Sequence, residues 1–268
     1  MISQPHKDLD IDSKPTAIAR ARSAAFEILR RVEQDGAYSS VLLAELDEKM
    51  RTEDRALTHE LVLGVLRRRL WLDRVIEHFA DRQTGDLDLP VRLALRLGVY
   101  QLRFLSRIPA SAAVNDSVNL VRAGRVSSAA GLVNAVLRRA TREPDYDPTV
   151  GVPDADERIA IETSHPQWLI RRWANALGFE KAVTLARANN EPAPVAFRLT
   201  AKALSIEAGP DRISKQLESD GALLTPSNIV PNSWQVAGAG KILRKLAIDG
   251  LIYLQDEASQ LVAHLLNA

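Results

Sequence analysis

At 268 residues the chain is long enough for two domains at a soft prior of about 150 residues each, and ample to bury a core without staples. Its 46% apolar and 26% charged composition excludes wholesale disorder, and no run approaches the roughly 18 apolar residues of a membrane span, so no membrane partner is expected. Cysteine is absent, which removes disulfides, Cys-ligated zinc and a thiolate nucleophile together, and the net charge of +1 is too small by itself to argue for a polyanion.

Residues 1–15, with Pro5 and Pro15, read as a disordered leader; they lack the apolar stretch of a secretory signal, so a cytoplasmic protein is expected. From Thr16 to about Glu143 the apolar spacing is helical. Ile18, Ala21, Ala25, Ile28, Leu29 and Val32 share one face, and Asp35-Gly36 ends that helix. Ser39 or Ser40 can cap the next, with Leu42, Leu43, Leu46 and Met50 inward. Thr52, followed by Glu53 and Asp54, starts a helix through Leu61, Val62, Val65 and Leu66 that continues or restarts through Leu70 to Phe79. Thr84-Gly85-Asp86 breaks the chain. Pro90 suits the first turn of a helix carrying Leu93, Leu97, Tyr100, Leu102 and Phe104. Helices follow from Pro109 to Gly124 and from Ser127-Ser128 through Leu137. The expectation for 16–143 is an all-helical bundle.

Residues 144–156, with Pro144, Pro148, Gly151 and Pro153, read as a linker. Helices over 166–177 and 181–189 come next. Val195 to Leu199 alternates like a strand, 211–219 is helical, 223–236 is extended, 241–248 is helical and 251–254 is a strand. That order predicts a small α/β subdomain over 157–255, of ferredoxin or RNA-recognition type, and a last helix from Asp256. The fold class is therefore mainly α, with a small α/β unit after the bundle.

Familiar enzyme motifs fail. Gly238-Ala239-Gly240-Lys241 has Gln235 and Ile242 where a phosphate loop needs Gly and Ser or Thr. His59-Glu60 is followed by Leu63 where a zinc protease needs His, and no dinucleotide fingerprint follows a strand. The five histidines, at positions 6, 59, 78, 165 and 264, have no metal-ligand spacing.

Charge is uneven along the chain. Residues 16–142 hold 21 Lys and Arg against 15 Asp and Glu, and residues 143–268 hold 12 against 16. Every cation of the first stretch except Lys49 is arginine, whose fork suits phosphate, although codon bias accounts for the same choice. Arg30, Arg67 to Arg69, Arg138 and Arg139 sit near helix ends, where the macrodipole favours them. Arg20 and Arg22 lie in a first turn, where it does not, and are read as phosphate contacts. Asn115, Asn119 and Asn134 inside helices are expected to face solvent or to bond across the bundle. Trp168 and Trp173 read as core anchors, while Phe197 and Tyr253 lie on strands and could stack bases.

ARARSAAFEIL (19–29), ELVLGVLRR (60–68), RIPASAAVNDSV (107–118) and GLVNAVLRR (131–139) resemble the NusB-type helical domain. HPQWLIRRWANALG (165–178), NNEPAPVAFRLT (189–200) and GLIYLQDEASQLVAHLL (250–266) resemble the connecting subdomain of Sun/Fmu-type (RsmB-like) bacterial RNA methyltransferases. That family methylates carbon 5 of a cytosine in small-subunit ribosomal RNA with S-adenosylmethionine. The resemblance implies ribosomal RNA as partner, contacted through Arg20, Arg22, Arg122, Arg125, Arg138, Arg139 and Arg142. It also implies a methyltransferase domain beyond Ala268, holding the cofactor loop and the cysteines. Cytosine carbon 5 is unreactive until a thiolate adds at carbon 6, so no catalytic, cofactor or metal residue is carried over to this chain. A free-standing NusB-like antitermination factor is the alternative, and a protein-docking adaptor a third.

Overall fold

The structure is a computed structural model that describes residues 20–46, 50–191, 193–238 and 240–266; the expected leader over 1–15 lies outside them. It divides into two compact units, one ending at Asn190 and the other starting at Glu191.

The first unit opens with a seven-helix bundle: α1 (Arg20–Asp35), α2 (Ser39–Ala44), α3 (Thr52–Arg67), α4 (Arg69–Ala80), α5 (Leu89–Phe104), α6 (Ala110–Ala123) and α7 (Ala130–Arg142). α5 is its axis. Every residue from Leu93 to Gln101 is buried, and α1, α3, α4, α6 and α7 all pack on it. A helix apolar around most of its girth needs partners on every side. Gly36, at φ +66°, ends α1 as the Asp35-Gly36 pair predicts. The long third helix restarts rather than continues, because Arg68 leaves helical geometry at φ −111° and ψ 21°. Ser39 is inside α2 and the cap position belongs to Tyr38, with no side-chain cap bond.

Two glycines set the close approaches. A methyl on Gly64 would fall inside the Tyr100 ring, which Glu60 holds through a 2.5 Å bond from the phenol. One on Gly98 would meet Leu137 and Ser117 Oγ at 2.6–2.8 Å. Gly64→Ala is expected to cost about 1–3 kcal/mol by overpacking, read as a lower melting temperature with helix content retained. Unchanged melting would mean that the Tyr100 ring is free to swing aside.

The expected linker is only partly a linker. Tyr146 stacks on His78 at 3.9 Å, and Arg103 donates to the carbonyls of Glu143 and Pro144, so this stretch is pinned to the bundle. A helix absent from the sequence reading follows, α8 (Ala155–Thr163), capped by Asp154, which accepts from Glu157 N–H at 2.9 Å. That bond holds the Asp154 carboxyl below the usual aspartate range. α8 packs on α4, where Trp71 N–H donates to Ser164 Oγ and Arg74 pairs with Glu157 at 2.8 Å. α9 (Gln167–Leu177) and α10 (Phe179–Ala188) complete the unit around a small core of Ile159, Ala160, Ile170 and Ala186. Trp173 packs there. Trp168, expected as a second anchor, is 63% exposed.

The second unit runs β1 (Val195–Leu199), α11 (Ala201–Leu204), α12 (Gly209–Ser219), β2 (Leu223–Pro226), β3 (Ser233–Ala237), α13 (Gly240–Ile248), β4 (Ile252–Leu254) and α14 (Glu257–Leu265). The sheet order is β2-β3-β1-β4, antiparallel throughout. The stretch predicted as one extended segment is a hairpin of two strands, its return made by Asn232 at φ +54°. Register aligns Phe197 with Trp234, Val195 with Val236 and Leu199 with Ile252, so these share one face. Ile213 and Leu217 of α12 and Leu243 and Leu246 of α13 cover that face. This is the ferredoxin-type arrangement. On α14, Gln260 is buried and Leu261 partly buried, whereas Val262 and Leu265, with Leu266 just past the helix end, are more than half exposed.

Candidate nucleic-acid interface

The arginines expected to meet phosphate separate into two kinds. Arg22 is a correction: it is buried, with Nη1 3.1 Å from Asp116 Oδ2 and Nε donating to Gln101 Oε1 at 2.5 Å. The helical period explains this, since Arg22, Ala25, Phe26 and Leu29 form one stripe, and that stripe faces the core. Arg22 fastens the start of α1 to α5 and α6, and leaves Arg20, two residues earlier, exposed. Burial pushes the Asp116 carboxyl up, and Arg22 pulls it back. Arg139 is likewise committed. It reaches Asp81 Oδ2 and the Phe79 carbonyl, each at 2.7 Å, and lies over the Phe79 ring, closing the end of α4.

Arg122, Arg125, Arg138 and Arg142 differ. All four are exposed, and among the described residues none is within ion-pair distance of a carboxylate. Arg122 Nη1 donates to Asn119 Oδ1 at 3.2 Å and Arg138 Nε to Asn134 Oδ1 at 3.0 Å. Arg142 Nε reaches only the Arg138 carbonyl. Arg125 stands at φ +63° just past the end of α6.

Asn115, Asn119 and Asn134 converge. With Arg122 they line an open groove of about 610 Å³ between α6 and α7, with Asp116 in its floor. The i, i+4 pair 115/119 and the i, i+4 pair 134/138 put amides and guanidinia on facing helix surfaces. Amides offer donors and acceptors to base edges, and unpaired guanidinia offer charge to phosphates. Lining an open groove is the solvent-facing outcome expected for these asparagines; their meeting in one groove depends on how α6 packs on α7.

In the second unit Phe197 is 1% exposed and stacks on Trp234 within the core, which removes it as a base platform. Tyr253 is exposed on the opposite face with the Arg198 guanidinium 5.0 Å from its ring centre. Among the described residues no His/Asp/Glu cluster could hold a metal ion, and no helix is long and apolar enough to cross a membrane.

Residues 19–142 match the NusB family, and residues 165–242 match the family described as Methyltr_RsmF/B-like, ferredoxin-like domain. A probable ribosomal RNA small subunit methyltransferase B of Bacillus subtilis is 30% identical over 250 residues, 92% of this chain and 54% of that protein. A ribosomal RNA small subunit methyltransferase B of Pseudomonas putida is 32% identical over 237 residues, 85% of this chain and 50% of that protein. The chain thus spans about half the length of the curated relatives it matches. The crystal structure of PH0851 shares the fold at a TM-score of 0.63 and 18% identity, over 94% of this chain and 56% of that one.

Proposed function

We propose that this chain, which joins a NusB-family domain to an RsmF/B-like ferredoxin-like domain and is homologous to ribosomal RNA small subunit methyltransferase B, binds and orients ribosomal RNA for cytosine-5 methylation in the cytoplasm. The observation that carries the reading is the asparagine-lined groove of α6 and α7 with Arg122 in its lining and Arg138 bonded to its Asn134, together with two further exposed arginines, Arg125 and Arg142, that likewise hold no carboxylate among the described residues. Arginines bound to carboxylates have little charge left for a phosphate; these four keep theirs. Against a free-standing antitermination factor, the likeness to the methyltransferase of Bacillus subtilis runs over 92% of the chain, well beyond the bundle.

S-adenosylmethionine has no fitting site among the described residues. The sheet is antiparallel and lacks the crevice at the carboxyl ends of parallel strands that such folds use for nucleotide cofactors. The sequence also has no thiol to add to a cytosine ring. We therefore assign no step of methyl transfer to these residues, and infer that a catalytic methyltransferase portion is the partner that covers the exposed leucines of α14.

The test is titration of the chain with fragments of small-subunit ribosomal RNA over a range of salt concentrations. Binding that weakens steeply with salt, each phosphate contact adding about 0.7 to 0.9 to the slope, is the expected result. Absence of binding, or binding indifferent to salt, overturns the reading and leaves the adaptor role.

A further inference from the structure

Helix α9 has two unlike sides. Ile170 and Trp173, three residues apart, enter the small core beside Ile159, Ala160 and Ala186. Trp168 precedes Ile170 by two residues, about 200° around at 100° per residue, and so faces away from that core. It is 63% exposed. One turn further on the same side stand Arg171 and Arg172, then Asn175, and with Gln167 they line a shallow depression of about 640 Å³.

The two arginines are not equivalent. Arg171 is held by Asp154 at 3.1 Å and Asp156 at 3.2 Å, which neutralise its charge. Arg172 is exposed and pairs with no carboxylate among the described residues. The depression therefore presents one large aromatic face, one available cation and two amide side chains. A protein surface seeking burial would ask for several aliphatic neighbours, and apart from the indole the lining holds only the methyl of Ala176. A planar, heteroaromatic ligand with one negative charge fits better: it stacks on the indole, places its charge on Arg172 and offers its edges to Gln167 and Asn175.

We propose that the outward face of α9 is a second RNA contact, where one unstacked base of a single-stranded segment lies on Trp168 and an adjoining phosphate meets Arg172. This rests on the RNA-binding reading above and adds to it a preference for single strands. Bases inside a duplex have both faces covered by their neighbours and cannot lie on the indole.

The experiment is a titration of the full chain with a short unstructured RNA and with a duplex of the same length. Trp168→Ala is expected to weaken single-strand binding about fivefold to a hundredfold, the range set by stacking energies per base, and to leave duplex binding unchanged. Trp168→Phe keeps a stacking face and is expected to retain most of the affinity. Arg172→Ala is expected to lower the single-strand salt slope by about 0.7. Trp168 lies outside the cores, so the melting temperature of each variant serves as the folding control. Single-strand affinity untouched by Trp168→Ala overturns the proposal, as does equal loss on both RNAs. So does a variant that binds RNA normally but no longer associates with a separately expressed methyltransferase portion. If the unaltered chain binds neither RNA, the broader reading fails; if it binds RNA through the α6–α7 arginines and ignores Trp168, only this contact fails.

Discussion

Arg96→Ala is expected to remove about 3–5 kcal/mol of stability. Arg96 is 4% exposed at the middle of α5. Its Nε and Nη2 grip both oxygens of Asp73 on α4 at 2.6 and 2.8 Å, and its Nη1 pairs with Glu33 on α1. Arg92, one turn earlier, donates to the other oxygen of Glu33 at 3.2 Å. Three helices thus share one guanidinium. Removing it leaves two carboxylates, each less than a fifth exposed, with Arg92 still paired to Glu33 and only the charge of Arg69 left to act on Asp73. Since a domain of this kind is stable by only about 5–15 kcal/mol, such a loss shifts the urea midpoint by a large fraction of its value. Arg96→Lys keeps the charge but not the two-pronged grip, so an intermediate loss is expected.

The pH dependence has a definite sign. Burial already raises the Asp73 carboxyl above the usual aspartate range, and the Arg96 hydrogen bonds pull it back down. Without Arg96 that restraint is gone, so the folded-state value rises further while the unfolded value stays near about 3.9. A carboxyl raised in the folded state destabilises when ionised, and the deficit is relieved as pH falls through the raised value. The gap between Arg96→Ala and the unaltered protein is therefore expected to narrow between neutral pH and about pH 4. A variant that loses under about 1 kcal/mol at pH 7 would show that the cluster is hydrated like a surface pair and ties nothing together.

Nothing in the sequence marks Arg96, because its partners lie 23 and 63 residues away and pair only once three helices have packed. The helices themselves were legible, since a 3.6-residue apolar period reports which face is buried without naming what covers it. The same period, applied to polar residues, would have turned Arg22 inward with Ala25 and Leu29, and Trp168 outward from Ile170 and Trp173. Helix α8 was hidden by the prolines and glycine around it, although Asp154 and Glu157 stand at the spacing of a capping box. The β2–β3 hairpin was harder to see. β2 is an edge strand with Leu223 76% exposed, so no alternation of buried and exposed residues advertises it.

Replacing Arg122, Arg125, Arg138 and Arg142 together by glutamine is expected to lower the salt slope of RNA binding by about 3, since each phosphate contact contributes about 0.7 to 0.9. The folded state should be indifferent, because none of the four holds a carboxylate and Arg142 holds only a carbonyl of its own helix. Arg22 and Arg139 supply the contrast within the same bundle. Arg139→Gln is expected to leave the slope unchanged and to loosen the end of α4, because its charge already belongs to Asp81 and its donors to the Phe79 carbonyl. Arg22→Met is expected to leave the slope unchanged and to lower the melting temperature, because it strands Asp116 beneath the groove. The asparagines separate charge from readout. Asn115, Asn119 and Asn134 changed together to alanine should leave the slope in place while flattening discrimination among RNA sequences, since amides carry base-edge contacts and no charge. Salt-dependence curves for these four proteins on one ribosomal RNA fragment decide the matter. A slope that falls for Arg139→Gln and holds for the quadruple variant would place the RNA on the opposite side of α7, away from the groove.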